Sequence, residues 1–356
     1  MTPRIHGGPD ALGVPRFDFS TNSNACGPCP GALAAVQQAD ASHYPDASYA
    51  TLRAQLAEFH GVDGQRVLLA GSASEFIFRI TACVAQQGGH QISLPPHSYG
   101  DYAQAAQAWG LRVATRPDAA QLVWACEPSS PLGQAHSVWP GWLLKSGAQQ
   151  DSAGTPAGSN SAHVFERVDS VPLVLDRAYE PLRLSGAPSL TDAQLAHVWQ
   201  LWTPNKALGL TGVRAAYAIA PLGWQAMATE LENLCPSWPV GAHGVAMLQA
   251  WVQPETQAWL ADSLQTLRDW KTRQITLLQT LGWDCLPSDT PFFCARPAPG
   301  CDLSALRAAG IKLRDATSFG LPGHVRVSVQ PPQAQDALQN AIQDLNHRRD
   351  EAAPGD

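Results

Sequence analysis

Residues 197–220 read HVWQLWTPNKALGLTGVRAAYAIA, two apolar runs joined by a glycine-rich turn. HVWQLWT (197–203) is the apolar, aromatic run of a buried strand. NKALGLTG (205–212) is a glycine-punctuated turn, and VRAAYAIA (213–220) is a further strand. The turn places Thr203, Asn205 and Lys206 beyond a strand's carboxyl end, where open α/β sheets bind ligands. A lysine on a glycine-flanked loop, with Arg214 close behind it, can be desolvated enough to act as an amine nucleophile.

Upstream of this stretch, short apolar segments alternate with helical ones. VLLA (67–70), ISLP (92–95), LVWACEP (122–128) and VPLVLDRAY (171–179) read as strands. SEFIFRITACVAQQGG and YGDYAQAAQAWG read as helices between them. That alternation predicts an α/β layer architecture with a mainly parallel sheet. Before it, Pro30 to Gln38 has helical composition, and YPDASYATLRAQLAEFHGV predicts a turn and an amphipathic helix with Leu52, Leu56 and Phe59 on one face. From about residue 222 the pattern changes to long helical stretches, then FFCAR, a helix over 302–310, IKLRD, HVRVSVQ and a final helix over 333–346. This predicts a small α+β domain completed by N-terminal residues. The expected division is an N-terminal arm (1–40), a large domain (41–235) and a C-terminal small domain (236–356). Residues 146–162 are Ser-, Gly- and Ala-rich and read as a surface loop. The charged tail from 347 reads as frayed.

Composition excludes several classes. The 356 residues are 45% hydrophobic and 15% charged, enough for a large core, and the formal net charge of −7 offers no basic field for nucleic acid or an anionic membrane. MTPRIHGGPD has no apolar h-region, and no apolar run approaches a membrane span. Eight cysteines scattered through the chain are unlike a disulfide scaffold. The expectation is a cytoplasmic protein with mostly reduced thiols, and no metal is called for.

The strand ends carry the chemistry. Gly71-Ser72-Ala73-Ser74 can open a helix whose backbone N–H groups and dipole hold a phosphate. Asp176 ends an apolar run and needs a cationic partner. With Lys206, these features suit a phosphorylated cofactor that has a protonated ring nitrogen and an aldehyde. Pyridoxal phosphate has all three.

TPNKALGLTGVR resembles the S-x-S-K-x-x-G-L-x-G-x-R motif of the fold-type I pyridoxal-phosphate aminotransferases of class I/II. VLDRAY resembles their V-D-E-A-Y, and SSPLG stands where they have N-N-P-T-G. HSYGDY is similar to T-Y-x-x-Y, HYPDASYATLR to R-Y-P-D-x-x-x-x-x-L-R, DFSTNSNACGP to D-F-S-x-N-x-N-P-x-G, and KLRDATSFGLPGHVRVSV to their V-R-D…R-I-T-V segment. The likeness runs along nearly the whole chain and is nearest to the histidinol-phosphate aminotransferase and threonine-phosphate decarboxylase branch. It implies a three-layer α/β/α large domain with a mainly parallel mixed sheet, plus a small α+β domain. It also implies the cofactor and its holders. Lys206 would be the Schiff-base lysine and Asp176 the pyridinium partner. Tyr99 would stack on the ring and Tyr179 would reach its phenolic oxygen, with Ser130 in the usual asparagine's place. Ala73, Ser74, Thr203, Asn205 and Arg214 would cradle the phosphate. Tyr44 would reach that phosphate across a homodimer interface. Arg326, with Arg314 and Asn24 nearby, would hold the substrate's anion. The catalytic set is Lys206, Asp176 and Tyr99.

Three departures loosen the transfer of specificity: Ser130 for asparagine, Asn205 for serine and Arg177 for the acidic residue after the aspartate. The residues point first to an aminotransferase acting on a small amino acid or amino alcohol phosphate and a 2-oxo acid. Decarboxylation of threonine phosphate uses the same groups and is the alternative. His6-Gly7-Gly8 is similar to an opening found in that decarboxylase branch, although so short a stretch reads more simply as a flexible arm. A cofactor-binding protein without turnover is a further reading. From another class, Cys26-Gly27-Pro28-Cys29 matches the thiol–disulfide oxidoreductase tetrapeptide. The preceding DFSTNSNA reads as loop, however, and no small domain surrounds it, so the tetrapeptide is expected to be a turn into a helix beside the site.

Overall fold

The computed structural model describes residues 6–146 and 171–352. The Ser/Gly-rich stretch expected as a loop therefore lies, beyond its first residue, outside the described residues. In chain order, β1 (Phe17–Asp18), α1 (Pro30–Gln37) and α2 (Ala50–His60) precede β2 (Val67–Ala70), α3 (Ala73–Gln86), β3 (Gln91–Ser93), α4 (Gly100–Ala108) and β4 (Arg112–Val113). Next come β5 (Leu122–Cys126), α5 (Gly141–Ser146), β6 (Leu173–Asp176), α6 (Asp192–Leu195), β7 (Trp199–Trp202) and β8 (Ala216–Ile219). The remainder is α7 (Gln225–Asn233), α8 (Ala242–Trp251), α9 (Pro254–Thr280), β9 (Asp284–Cys285), β10 (Phe292–Arg296), α10 (Leu303–Ala308), β11 (Ile311–Lys312), β12 (Arg314–Asp315), β13 (Val325–Ser328) and α11 (Pro332–Ala352).

A seven-stranded sheet has the order β2-β8-β7-β6-β5-β3-β4. The β4, β3, β5, β6 and β7 strands are parallel, and β8 runs antiparallel between β7 and β2. The sheet is covered on both faces, as its continuous apolar strands require. Along β2 the side chains alternate between two cores: Val67 and Leu69 join one, Leu68 and Ala70 the other. Tyr217 and Ile219 of β8 likewise face away from Ala216 and Ala218. Three layers follow from that alternation.

A four-stranded antiparallel sheet, β12-β13-β10-β9, forms in the C-terminal part. The N-terminal segment forms a separate two-stranded sheet with this part of the chain, β1 pairing in parallel with β11. Helix starts obey local chemistry: Ser72 Oγ accepts the Glu75 N–H at the head of α3, and Pro254 occupies the first turn of α9.

Several boundaries differ from the sequence reading. The strand expected to reach 179 stops at Asp176, because the Ala178 N–H turns back to Asp176 Oδ1 at 2.9 Å. Phe59, expected on the buried face of α2, is 37% exposed, whereas Leu52 and Leu56 are buried. The C-terminal segment expected to fray after 346 stays helical to Ala352. Among the described residues, no helix is long and apolar enough to cross a membrane.

Candidate active site

The site lies where β5, β6 and β7 end. Asp176 is the last residue of β6 and Cys126 the last of β5, while Thr203 follows β7 directly. Lys206 is half-buried on the following loop, its Nζ 3.4 Å from Thr203 Oγ1 and 5.6 Å from the Tyr179 ring centroid. Asp176, Thr203, Asn205 and Lys206 share a chamber with Ser74 and Arg214. The chamber opens into a cleft of about 1140 Å³ that reaches Arg314 and Arg326.

The lysine loop is held from below by the N-terminal segment. Asn24 N–H donates to the Lys206 carbonyl at 2.9 Å and Cys29 N–H to the Leu208 carbonyl at 2.8 Å. Asn24 Nδ2 donates to the Ala207 carbonyl at 3.0 Å and to Ser263 Oγ at 2.8 Å. Asn24 therefore buttresses the loop rather than facing the cleft. Its neighbour Asn22 does line the cleft, with Nδ2 3.3 Å from Tyr179 Oη and a buried Oδ1 that has no partner. The sequence reading assigns Asn22 no role, and only the fold brings it to the cleft in place of Asn24.

The same packing explains the cysteine tetrapeptide. Cys26-Gly27-Pro28-Cys29 forms the turn into α1 against the lysine loop, and both thiols are free. Cys29 is buried, and burial pushes the Cys26 thiol above its ordinary value. An attacking thiolate needs the opposite shift.

At the head of α3, Ser72 takes the N–H groups of Glu75 and Phe76. The residues just before them, Ala73 and Ser74, line the chamber at the N-terminus of the 14-residue helix α3. Arg214 stands beside them, so dipole, backbone donors and guanidinium converge as an anion site requires. Asn205 Oδ1 is buried there without a partner, and its Nδ2 donates to the Val213 carbonyl at 3.3 Å. Tyr99 leads into α4, with its hydroxyl 3.2 Å from Ser74 Oγ.

At the end of β6, Asp176 is buried, and its hydrogen bonds come from neutral donors: Ala178 N–H and, at 2.6 Å, the Tyr102 hydroxyl. Burial pushes its carboxyl above the usual range, against the pull of those donors and of Lys206. A buried carboxylate facing a chamber fits a ligand that brings a cation, such as a protonated ring nitrogen. The residues present thus fit pyridoxal phosphate at its ring, its aldehyde and its phosphate.

The far wall of the cleft carries two buried arginines. Arg314 of β12 pairs directly across from Arg326 of β13, although like charges at such a position repel. Arg326 donates to the Ser20 carbonyl at 3.0 Å and contacts Ser130 Oγ at 3.5 Å, while its Nε is buried without a partner. Arg314 reaches the Asp315 carbonyl and Ser318 Oγ. Burial pulls both guanidinium pKa values down, and Arg326 lowers that of Arg314 further. An anion between them relieves that cost. Ser130, expected at the cofactor's oxygen, thus lines the cavity while touching Arg326.

Tyr44 is remote from this cavity's walls. It is 78% exposed and stacks on Trp238 with ring centroids 4.5 Å apart. The His6-Gly7-Gly8 segment, read above as a flexible arm, is pinned instead. A Cβ on Gly7 would meet the Ser20 carbonyl oxygen at 2.1 Å, Gly8 N–H donates to Ser20 Oγ at 2.9 Å, and Lys312 Nζ donates to the Gly8 carbonyl at 2.6 Å. This brings His6 to the cleft, its ring centroid 6.4 Å from that of Tyr99.

The aminotransferase class I and II family matches residues 15–138 and 161–345 of the chain. A histidinol-phosphate aminotransferase from Jannaschia sp. (strain CCS1) is 26% identical over 343 residues, covering 88% of this chain and 87% of that protein. Among solved structures, the histidinol-phosphate aminotransferase of Sinorhizobium meliloti in complex with pyridoxal 5'-phosphate has a TM-score of 0.73 at 21% identity, with 98% of each chain covered. The L-threonine-O-3-phosphate decarboxylase of Porphyromonas gingivalis has a TM-score of 0.68 at 18% identity, covering 92% of this chain and 99% of that one.

Proposed function

The chain belongs to the aminotransferase class I and II family, and on that premise we propose that it moves an amino group from a small, phosphate-bearing amine, of the histidinol-phosphate kind, to a 2-oxo acid. Its cofactor is pyridoxal phosphate. The observation that carries the substrate class is the cross-strand pair Arg314 and Arg326, facing Lys206 across the cleft.

Bound pyridoxal phosphate supplies an aldehyde that links covalently to amines and a protonated ring that accepts electron density. Lys206 would hold the cofactor through its amine and would carry the substrate's α-proton. Asp176 would hold the proton on the ring nitrogen. Tyr99 would support the ring, and Tyr179 its phenolic oxygen. Ala73, Ser74, Thr203, Asn205 and Arg214 would bind the phosphate. Arg326 and Arg314 would hold the substrate's anion and so set which bond faces Lys206.

Tyr44 of the partner subunit completes the phosphate grip in a homodimer working in the cytoplasm. The exposed Tyr44–Trp238 stack supports this reading, since a second copy would cover it. Tyr44→Phe should then weaken cofactor binding several-fold and leave the dimer intact.

A second reading is decarboxylation of threonine phosphate, which carries a carboxylate as well as a phosphate; the His6 imidazole on the cleft wall is a further polar group that such a second anion could meet. The test adds histidinol phosphate and threonine phosphate separately to holoprotein, following the cofactor spectrum and carbon dioxide together. Conversion of the cofactor to its amine form supports transamination. Carbon dioxide release from threonine phosphate with the cofactor unchanged supports the decarboxylase, and no change with any amine marks a cofactor-binding protein without turnover.

A further inference from the structure

Tyr102 is fully buried on α4, yet its hydroxyl donates to Asp176 Oδ2 at 2.6 Å. Its ring lies flat on Trp124 of β5, with centroids 4.4 Å apart and planes 11° from parallel. It also meets Tyr99 edge-on at 5.8 Å. The other carboxylate oxygen of Asp176 accepts the Ala178 N–H.

We propose that Tyr102 is a positioning residue: its phenol anchors Asp176 so that the carboxylate keeps a fixed, ionised face toward the bound ring nitrogen. This rests on the assignment of Asp176 as the cofactor's ring partner. A carboxylate with one donor on each oxygen cannot rotate without breaking a buried hydrogen bond, and the Trp124 stack stops the donor from following it. Tyr99 and Tyr102, three residues apart around the start of α4, thereby link the ring's face to its nitrogen.

The charge state follows from the neighbours. The titratable groups facing Asp176 are Tyr102 from α4, Cys126 from β5 and Lys206 from the loop after β7. Burial drives the Tyr102 and Cys126 pKa values well above their ordinary values, so both stay protonated. Tyr102 is then a permanent donor, and its bond favours the charged form of Asp176.

The test is the dissociation constant of pyridoxal phosphate, measured against pH on Tyr102→Phe, Asp176→Asn and the double variant. Tyr102→Phe keeps the ring and its stack. It should weaken binding about 10-fold and move the acid limb of the binding profile to higher pH. In the Asp176→Asn background the same change should have no further effect. If Asp176→Asn alone leaves binding unchanged, the ring-partner assignment fails and the proposal with it. If Asp176→Asn weakens binding but Tyr102→Phe does not, or does so equally in both backgrounds, the proposal alone is overturned. Should circular dichroism show Tyr102→Phe unfolded, Tyr102→3-fluorotyrosine supplies a stronger donor of nearly the same shape. It should move the acid limb to lower pH, and an unmoved limb overturns the proposal.

Discussion

A Cβ placed on Gly209 would sit 3.0 Å from the Cα of Gly27. The two glycines are where the N-terminal turn and the lysine loop touch backbone to backbone. Gly209 also has φ +68°, a conformation that costs any L side chain about 1 kcal/mol. Gly209→Ala should therefore destabilise the fold by about 1–3 kcal/mol and loosen cofactor retention, because the displaced loop carries Lys206. Gly212→Ala, where an added Cβ meets nothing within 4 Å, should be nearly neutral. Urea midpoints and cofactor occupancy check both.

Arg326 combines charge with a forked geometry: one nitrogen on the Ser20 carbonyl, another toward Ser130. Lysine keeps the charge but cannot span both. Arg326→Lys should lower kcat/KM for a phosphate-bearing donor by about 10- to 100-fold. For an amine without a second anionic group the change should be much smaller. Equal losses for both donors would remove Arg326 from the anion site.

His60 gives a pH dependence independent of the chemistry. Its Nε2 lies 2.8 Å from Tyr217 Oη, which accepts the Trp251 indole N–H at 3.1 Å. The imidazole is thus a neutral acceptor in the fold. Burial, and then the charge of Arg177, push its pKa down to about 4 from the ordinary 6.5. The unfolded chain takes up this proton as pH falls below 6.5, whereas the folded chain refuses it until about 4. Stability is accordingly full above that window and falls within it, by up to about 1.4 kcal/mol per pH unit. Urea unfolding at pH 7 and pH 5 should show a smaller loss for His60→Gln than for the unaltered chain, and an identical loss would contradict this.

The layers, and the strand ends that line the chamber, were legible because local pattern and chemistry coincide there. VPLVLD ends a buried strand with a carboxylate on the chamber wall, and TPNKALGLTG is both a turn and the carrier of Lys206. What stayed hidden depends on contacts distant in sequence. Asn24 turns to Ala207 and Ser263, whereas Asn22, two residues before it, meets Tyr179 in the cleft. Tyr102 was in view within HSYGDY, yet its hydrogen bond to Asp176 needs two strands and a helix in register. The arm at Gly7 is fixed by Ser20 and Lys312, which no local propensity of three residues can announce. Cys26-Gly27-Pro28-Cys29 imitates a redox motif, but its glycine packs against Gly209, whose Cα an added Cβ would meet at 3.1 Å.

If Lys206 is the amine that holds the cofactor, borohydride reduction of holoprotein followed by peptide mapping should give a pyridoxyl adduct on the peptide carrying Lys206, absent from Lys206→Ala. Another amine is available for comparison: Lys271, whose pKa burial pulls down to about 8. An adduct on Lys271, or no adduct in cofactor-saturated protein, would remove Lys206 from that role.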